Sequence, residues 1–133
     1  MRLLIVISII LCLYQCDRSP ITGSENAEEL NVSLEISSKE YSSTKLTANG
    51  IATNLSNSTI YPSWKIEAQF YHINDSGNTF LLGGDNFLIN QSLQPNISVN
   101  FVLEISGSNG NFSGQSISSI DDFYIDELRA IEN

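Results

Sequence analysis

Short segments in which apolar and polar residues alternate constrain the fold of this chain more than any other feature. Three stretches have an apolar residue at every second position, and turns rich in asparagine, glycine or serine separate the segments. Their apolar faces consist of Leu30, Val32, Leu34 and Ile36; of Trp64, Ile66, Ala68 and Phe70; and of Val99, Phe101, Leu103 and Ile105. A period of two is that of a half-buried β-strand. No window of eleven or more residues after Cys16 has a helical period, so we predict an all-β fold.

Four weaker segments bring the prediction to about seven antiparallel strands within residues 30–128. They are 45–54, 80–82, 86–90 and 117–128. Residues 86–90 either continue the 80–82 strand or pair separately. Residues 117–128 are predicted to be a strand and not a helix because Phe123, Tyr124 and Ile125 are adjacent. Many short strands joined by polar turns are typical of an immunoglobulin-like β-sandwich. Trp64 stands where that fold places a large core aromatic, and we expect it to be buried. Residues 129–133 are predicted to be a tail.

The N-terminus has the organisation of a signal peptide. Arg2 precedes an apolar run from Leu3 to Tyr14, which as a helix reaches about 18 Å, well short of the roughly 30 Å hydrocarbon core. No pair of small residues marks an ordinary cleavage site. Leu13-Tyr14-Gln15-Cys16 resembles a lipobox, with Tyr14 and Gln15 in place of the usual small residues. The resemblance implies that Cys16 is lipidated. The alternative is that Cys16 is an ordinary thiol at the end of a signal anchor that is uncleaved or cleaved in an unusual way.

Residues 17–29 (DRSPITGSENAEE) are polar and lack periodicity, which predicts a flexible tether between membrane and domain. Its root-mean-square span would be about 20 Å. The only cysteines are Cys12 and Cys16, so the exported part cannot contain a disulfide although its compartment permits one. The sequence therefore predicts an extracytoplasmic, membrane-anchored protein whose domain depends on its hydrophobic core.

The central stretch resembles the FxLYD family, small immunoglobulin-like domains of exported prokaryotic proteins. Matching residues are Gly50, Asn54, the segment Ala68-Gln69-Phe70-Tyr71-His72, Gly77, and Leu93-Gln94-Pro95 before the Val99–Ile105 strand. Ala68 replaces the first signature aromatic and His72 replaces the aspartate. The resemblance spans roughly residues 30–125 and implies the sandwich fold; it implies no catalytic residues.

Composition narrows the classes of function. Six basic and fifteen acidic residues give a net charge of −9, which argues against nucleic acid as a partner and favours a partner with basic groups or one reached through divalent ions. His72 is the only histidine, and no G-x-S-x-G motif or phosphate-binding glycine loop occurs. We predict that His72 is an exposed turn residue and that the protein is neither an enzyme nor dependent on a cofactor.

Acidic residues cluster near the C-terminus, with two more in predicted turns. They are Asp121, Asp122, Asp126 and Glu127, with Asp75 and Asp85. Loop carboxylates of this kind can bind calcium, but the spacing matches no EF-hand. A solvated acidic edge that discourages strand-to-strand aggregation is the preferred interpretation.

Seven N-x-S/T sequons occur, an excess over chance for this composition. The candidate acceptors are Asn31, Asn54, Asn57, Asn74, Asn90, Asn96 and Asn111. Glycosylation in a host that modifies surface proteins and a simple abundance of Asn/Ser-rich turns remain equal alternatives.

Two hypotheses for function follow. The first is a non-catalytic surface lipoprotein whose sandwich is an interaction or structural module for an unknown protein or glycan. The second is a carbohydrate- or peptide-binding accessory domain that uses exposed tyrosines at Tyr61, Tyr71 and Tyr124. An aromatic row over one face would favour the second hypothesis, and scattered tyrosines would favour the first.

Overall fold

A computed structural model describes residues 27–107, 110, 112 and 117–133. Six strands and one short 3-10 helix make up the domain. They are β1 (Val32–Tyr41), β2 (Lys45–Asn54), β3 (Trp64–Ile73), β4 (Thr79–Ile89), β5 (Ser98–Ser106), the 3-10 helix (Ile117–Ser119) and β6 (Tyr124–Glu132). The predicted all-β fold is confirmed.

The strands form two antiparallel three-stranded sheets, ordered β1-β2-β5 and β4-β3-β6. These orders correspond to strands A-B-E and C′-C-F of an immunoglobulin-like sandwich. Among the strands in the described residues, none corresponds to D or G of that fold. In the β4-β3-β6 sheet, β3 is the central strand and pairs with β4 on one edge and with β6 on the other. The segment that forms β3 also has the clearest alternation in the sequence.

The segment that precedes β1 connects the two sheets. The Leu30 amide donates to the Ala130 carbonyl (2.8 Å) and the Glu132 amide donates to the Glu28 carbonyl (3.3 Å), both on the free edge of β6. From Val32 onward the chain pairs with β2 instead. Residues 28 and 29, predicted to belong to the tether, are thus attached to the sandwich because β6 offers them unpaired edge groups.

The inner faces of both sheets supply one hydrophobic core. Trp64 is fully buried, which confirms its prediction as a core residue. Its fully buried companions include Phe70, Phe101, Leu103 and Ile105. With no cysteine in this part of the chain, burial of apolar surface is the main stabilising contribution.

The structure decides between the two alternatives for residues 86–90 and corrects one strand prediction. Residues 80–82 and 86–89 belong to one strand, β4, because Gly83 (φ 151°) lies at a bulge opposite Phe70 and the strand continues through it. The predicted tail at residues 129–133 is wrong, since β6 runs to Glu132. Its consecutive buried residues, Ala130 and Ile131, do not alternate with polar ones. The described residues therefore contain six strands and not the predicted seven.

Residues 1–26 lie outside the described residues, and with them the predicted signal peptide, Cys16 and most of the predicted tether. Within the described part of the chain, no helix has the length and apolar character needed to cross a bilayer.

Candidate functional site

Two of the three predicted partner-surface tyrosines meet on the outer face of the β4-β3-β6 sheet. Tyr71 of β3 and Tyr124 of β6 are register partners, and their rings stack with 5.4 Å between centroids and 16° between planes. Leu81 of β4 pairs with Tyr71 on its other side, and Ile73 follows on the same face of β3. Leu81 is 37% exposed and Ile73 is 53% exposed. We call Tyr71, Ile73, Leu81 and Tyr124 the tyrosine patch.

Hydrogen bonds beside the patch orient the tyrosine pair. The Tyr71 hydroxyl donates to Gln69 Oε1 at 3.0 Å, and Gln69 Nε2 donates to Glu127 Oε2 at 2.5 Å. Gln69 is almost fully buried, whereas Glu127 lies at a β6 bulge with φ 51°. A side chain that is hydrogen-bonded and stacked has little rotamer freedom left to lose when a partner binds.

An ion-pair cluster continues the polar row along β3. Glu67 Oε1 accepts hydrogen bonds from Arg129 Nε (2.8 Å) and Nη2 (2.6 Å), and Lys65 Nζ lies 3.5 Å from Glu67 Oε2. Glu67 is 1% exposed although it lies on the outer face. A charge this buried needs its partners, so the cluster makes this part of the face a rigid, charge-compensated support for the tyrosine patch.

Tyr61 is not part of the tyrosine patch. It is 73% exposed and precedes β3, whereas Tyr71 lies near the end of that strand, about seven residues beyond Trp64 or roughly 23 Å. Tyr61 instead lines a cleft of about 600 Å³ between residues 28–31, residues 56–64 and the end of β6. We call this the end cleft. The three tyrosines therefore form one pair and one separate residue.

The predicted acidic cluster is divided among different partners. Asp122 accepts hydrogen bonds from Lys39 Nζ (3.0 Å) and the Tyr41 hydroxyl (2.9 Å). The hydrogen bond from Lys39 is the main reason that the pKa of Asp122 is lowered. Burial, followed by the hydrogen bond to Asp122, raises the pKa of Tyr41.

The remaining acidic residues are also dispersed. Asp126 Oδ1 accepts from the Glu127 amide at 2.8 Å, and Asp85 Oδ2 accepts from the Glu104 amide at 2.7 Å, linking the β4 and β5 edges of opposite sheets. Asp75 lies in the β3–β4 turn. Within the described residues, no group of three or more histidine, cysteine or acidic side chains is arranged to hold a metal ion.

The prediction that His72 is an exposed turn residue is wrong. Strand β3 runs to Ile73, so the alternation places His72 on its inner face, 7% exposed. Nδ1 lies 2.8 Å from the Asp122 carbonyl, which requires Nδ1 to carry the proton. This hydrogen bond between the His72 side chain and a main-chain carbonyl connects the end of β3 to the segment before β6.

The candidate glycan acceptors differ in accessibility. Asn31, Asn57, Asn90 and Asn96 are exposed, Asn74 is half-buried, and Asn111 lies outside the described residues. Asn54 is fully buried, and its Nδ2 donates to the carbonyls of Ser58 and Leu93, both at 2.9 Å. The folded domain therefore does not present Asn54 as a glycan acceptor.

Sequence reasoning missed the residues that support the patch and the cleft. The outward positions of β3, including Gln69 and Glu67, were visible as the polar half of an alternating strand. Their contacts with Glu127 and Arg129 could not be predicted from the sequence, because these contacts depend on the β3–β6 register and on the bulge at Glu127. The end cleft depends on segments far apart in the chain and left no local signal.

Comparisons with known proteins add little to this geometry. No protein family matches the chain, and no curated protein matches it either. Among solved structures, part of a β-glucosidase from Kluyveromyces marxianus is similar to this chain with a TM-score of 0.41 and 15% sequence identity. The match covers 58% of this chain and 9% of the β-glucosidase chain. A likeness this weak and this partial has no bearing on activity.

Proposed function

We propose that this protein is a non-catalytic, membrane-anchored cell-surface lipoprotein whose β-sandwich is an interaction module. In this proposal the acyl chains on Cys16 hold the protein at the membrane, and the tyrosine patch contacts a partner protein. The apolar N-terminal run ending in Leu13-Tyr14-Gln15-Cys16 supports the anchor.

The stacked Tyr71–Tyr124 pair is the observation that carries the interaction part of the proposal. Two aromatic rings and two exposed aliphatic side chains lie side by side on one sheet face, with a polar, charge-compensated row next to them. An apolar centre rich in tyrosine with a polar surround is typical of a protein–protein interface. Because a hydrogen bond already orients Tyr71, little side-chain conformational entropy is lost when a partner binds.

Binding of a glycan is the second candidate for the same patch. Adjacent tyrosines are what the carbohydrate-binding hypothesis requires, and the structure places two of the three together. Stacking leaves only one face of each ring for a sugar, however, and Gln69 is too buried to reach a ligand hydroxyl. A protein partner is therefore the preferred form of the proposal.

A pull-down with the full chain tests the interaction. Tyr124→Ala removes half of the stacked pair at a half-buried surface position, and we expect it to abolish capture of the partner from solubilised host membranes. Tyr61→Ala is the matched control, since it removes a more exposed tyrosine away from the patch. Equal capture by both variants would contradict a role for the patch, and competition by host glycans would favour the second candidate.

The anchor has its own test. Cys16→Ser should shift the protein out of the detergent phase or leave an uncleaved precursor. A wild-type protein that carries no lipid and is processed at another residue would refute the anchor while leaving the patch unaffected.

A further inference from the structure

Three of the candidate glycan acceptors lie close to the end of β2. The Leu55 amide donates to the Asn31 carbonyl (3.0 Å), and the Asn96 amide donates to the Asn54 carbonyl (2.9 Å). Asn57 follows shortly after Asn54, in the loop between β2 and β3. Three separate segments of the chain thus bring an acceptor to the same end of the sandwich.

A fourth acceptor, Asn90, lies at this end as well, because it directly follows Ile89, the register partner of Trp64 at the start of β3. Glu28, in the predicted tether, is attached here too, since its carbonyl accepts a hydrogen bond from the last residue of β6 (3.3 Å). We call this the tether end, and its exposed candidates the tether-end acceptors: Asn31, Asn57, Asn90 and Asn96. Tyr71 lies roughly 23 Å along β3 from Trp64, so the tyrosine patch is toward the opposite end.

Hydrogen bonds within turns explain two other sequon asparagines but not the tether-end acceptors. Asn74 Oδ1 accepts from the amides of Ser76 (3.1 Å) and Asn78 (2.9 Å), and the buried Asn54 side chain is bonded to two loop carbonyls. Such bonds are the reason that asparagine is common in turns. The side-chain amides of the tether-end acceptors are exposed and have no hydrogen-bond partner within the described residues. Only at Asn96 does the backbone, with φ 61°, favour asparagine.

Given the export that the proposed function requires, we propose that the tether-end acceptors carry N-linked glycans. The glycans would cover the end of the sandwich next to the tether and leave the tyrosine patch bare. Each acceptor has a serine or threonine two residues later, as the sequon requires, and each is on the surface, where a bulky hydrophilic group can be accommodated.

The sugar donor would be a lipid-linked oligosaccharide phosphate of the host. In the transfer, the acceptor amide nitrogen forms a bond to C1 of the first sugar and the bond from C1 to the phosphate oxygen breaks. The phosphate leaves with the electron pair, and the amide releases one proton. Asn54 and Asn74 would stay unmodified, because the fold already uses their side chains.

Mass spectrometry of the native protein tests this assignment. The full-length protein is purified from host membranes in detergent and digested, and its peptides are fragmented to locate any sugar on individual asparagines. We expect sugar on at least three of the four tether-end acceptors and none on Asn54 or Asn74. Sugar on fewer than three of them, or on Asn54 or Asn74, would overturn the proposal.

Variants test whether the sequon directs the modification. Asn90→Gln and Ser92→Ala should each remove the mass of one glycan, because the acceptor needs both the amide and the hydroxyl two residues later. Asn100→Gln is the matched control, since it changes an exposed asparagine outside any sequon. Sugar that persists on Asn90 in Ser92→Ala, or an equal loss of mass in Asn100→Gln, would overturn the proposal.

The outcome is separable from that of the proposed function. A lipidated protein that captures its partner but has no sugar would overturn the glycan proposal alone. A glycosylated protein whose partner capture is unaffected by Tyr124→Ala would support the glycans and contradict the patch.

Discussion

Tyr71 and Gln69 lie two residues apart on β3, and the Tyr71 hydroxyl donates a 3.0 Å hydrogen bond to Gln69 Oε1. The half-buried tyrosine that shapes the patch is thus held by an amide that solvent barely reaches. The same amide donates to Glu127, so one buried side chain couples the patch on β3 to the bulge in β6. This arrangement gives the exposed face a defined shape before any partner arrives.

Tyr71→Phe should lower the free energy of unfolding by about 1 kcal/mol, because it leaves Gln69 Oε1 without its donor. Tyr124→Phe is the matched control: the ring still stacks, and the described residues show no hydrogen bond from the Tyr124 hydroxyl. Urea unfolding of the two variants measures the difference. If both variants lose the same stability, the hydrogen bond does not orient the patch.

Gly50→Ala should destabilise the domain by about 1–3 kcal/mol, the usual cost of overpacking a core. A Cβ at this position would overlap the buried Phe101 ring and approach the Glu35 carbonyl oxygen to 2.7 Å. Gly107→Ala is the control, since its Cβ would meet nothing within 4 Å. Thermal unfolding followed by circular dichroism compares the variants, and an unchanged midpoint for Gly50→Ala would contradict the packing described.

Acid should destabilise the domain through two paired carboxylates. Hydrogen bonds from Lys45 and Lys39 lower the pKa of Glu104 and of Asp122, respectively. A lowered folded-state pKa means that the stabilisation is complete above the unfolded values of about 4 and is lost as the pH falls through the folded values. Both pairs are exposed, so the loss is modest, about 1 kcal/mol or less for each.

The measurement is the urea midpoint between about pH 6 and pH 2.5. A variant that combines Glu104→Gln with Asp122→Asn should have a lower urea midpoint than the wild type at pH 6. Its midpoint should also fall less steeply as the pH is lowered. An identical slope in the two proteins would show that other groups account for the acid sensitivity.

How far the sequence predicts this fold depends on whether the signal is local. The alternation from Trp64 to Phe70 identified β3, its buried face and the outward position of Tyr71, because strand geometry alone determines them. The stacking of Tyr71 on Tyr124 joins residues 53 positions apart and depends on a register that a bulge shifts. No property of either strand by itself specifies that register.

The errors have similar causes. His72 is predicted to be a turn residue because the clear alternation of apolar and polar residues ends before it, but β3 continues to Ile73 and includes His72. The C-terminal residues are predicted to be a tail, whereas the structure buries Ala130 and Ile131 in β6, where the two adjacent buried residues do not alternate with polar ones. Ile131 lies opposite Glu29 in an isolated bridge, a contact between the two ends of the domain that composition cannot reveal.

Site-specific cross-linking on intact cells tests the central claim most directly. A photo-cross-linking amino acid replaces Ile73, which is in the patch and 53% exposed, or Ile51, which is 38% exposed on the outer face of the other sheet. We expect a discrete cross-linked partner from position 73, absent from position 51 and lost when Tyr124→Ala is added. Cross-linking to the same partner from position 51 alone, or equally from both positions, would contradict the assignment of the tyrosine patch as the interaction surface.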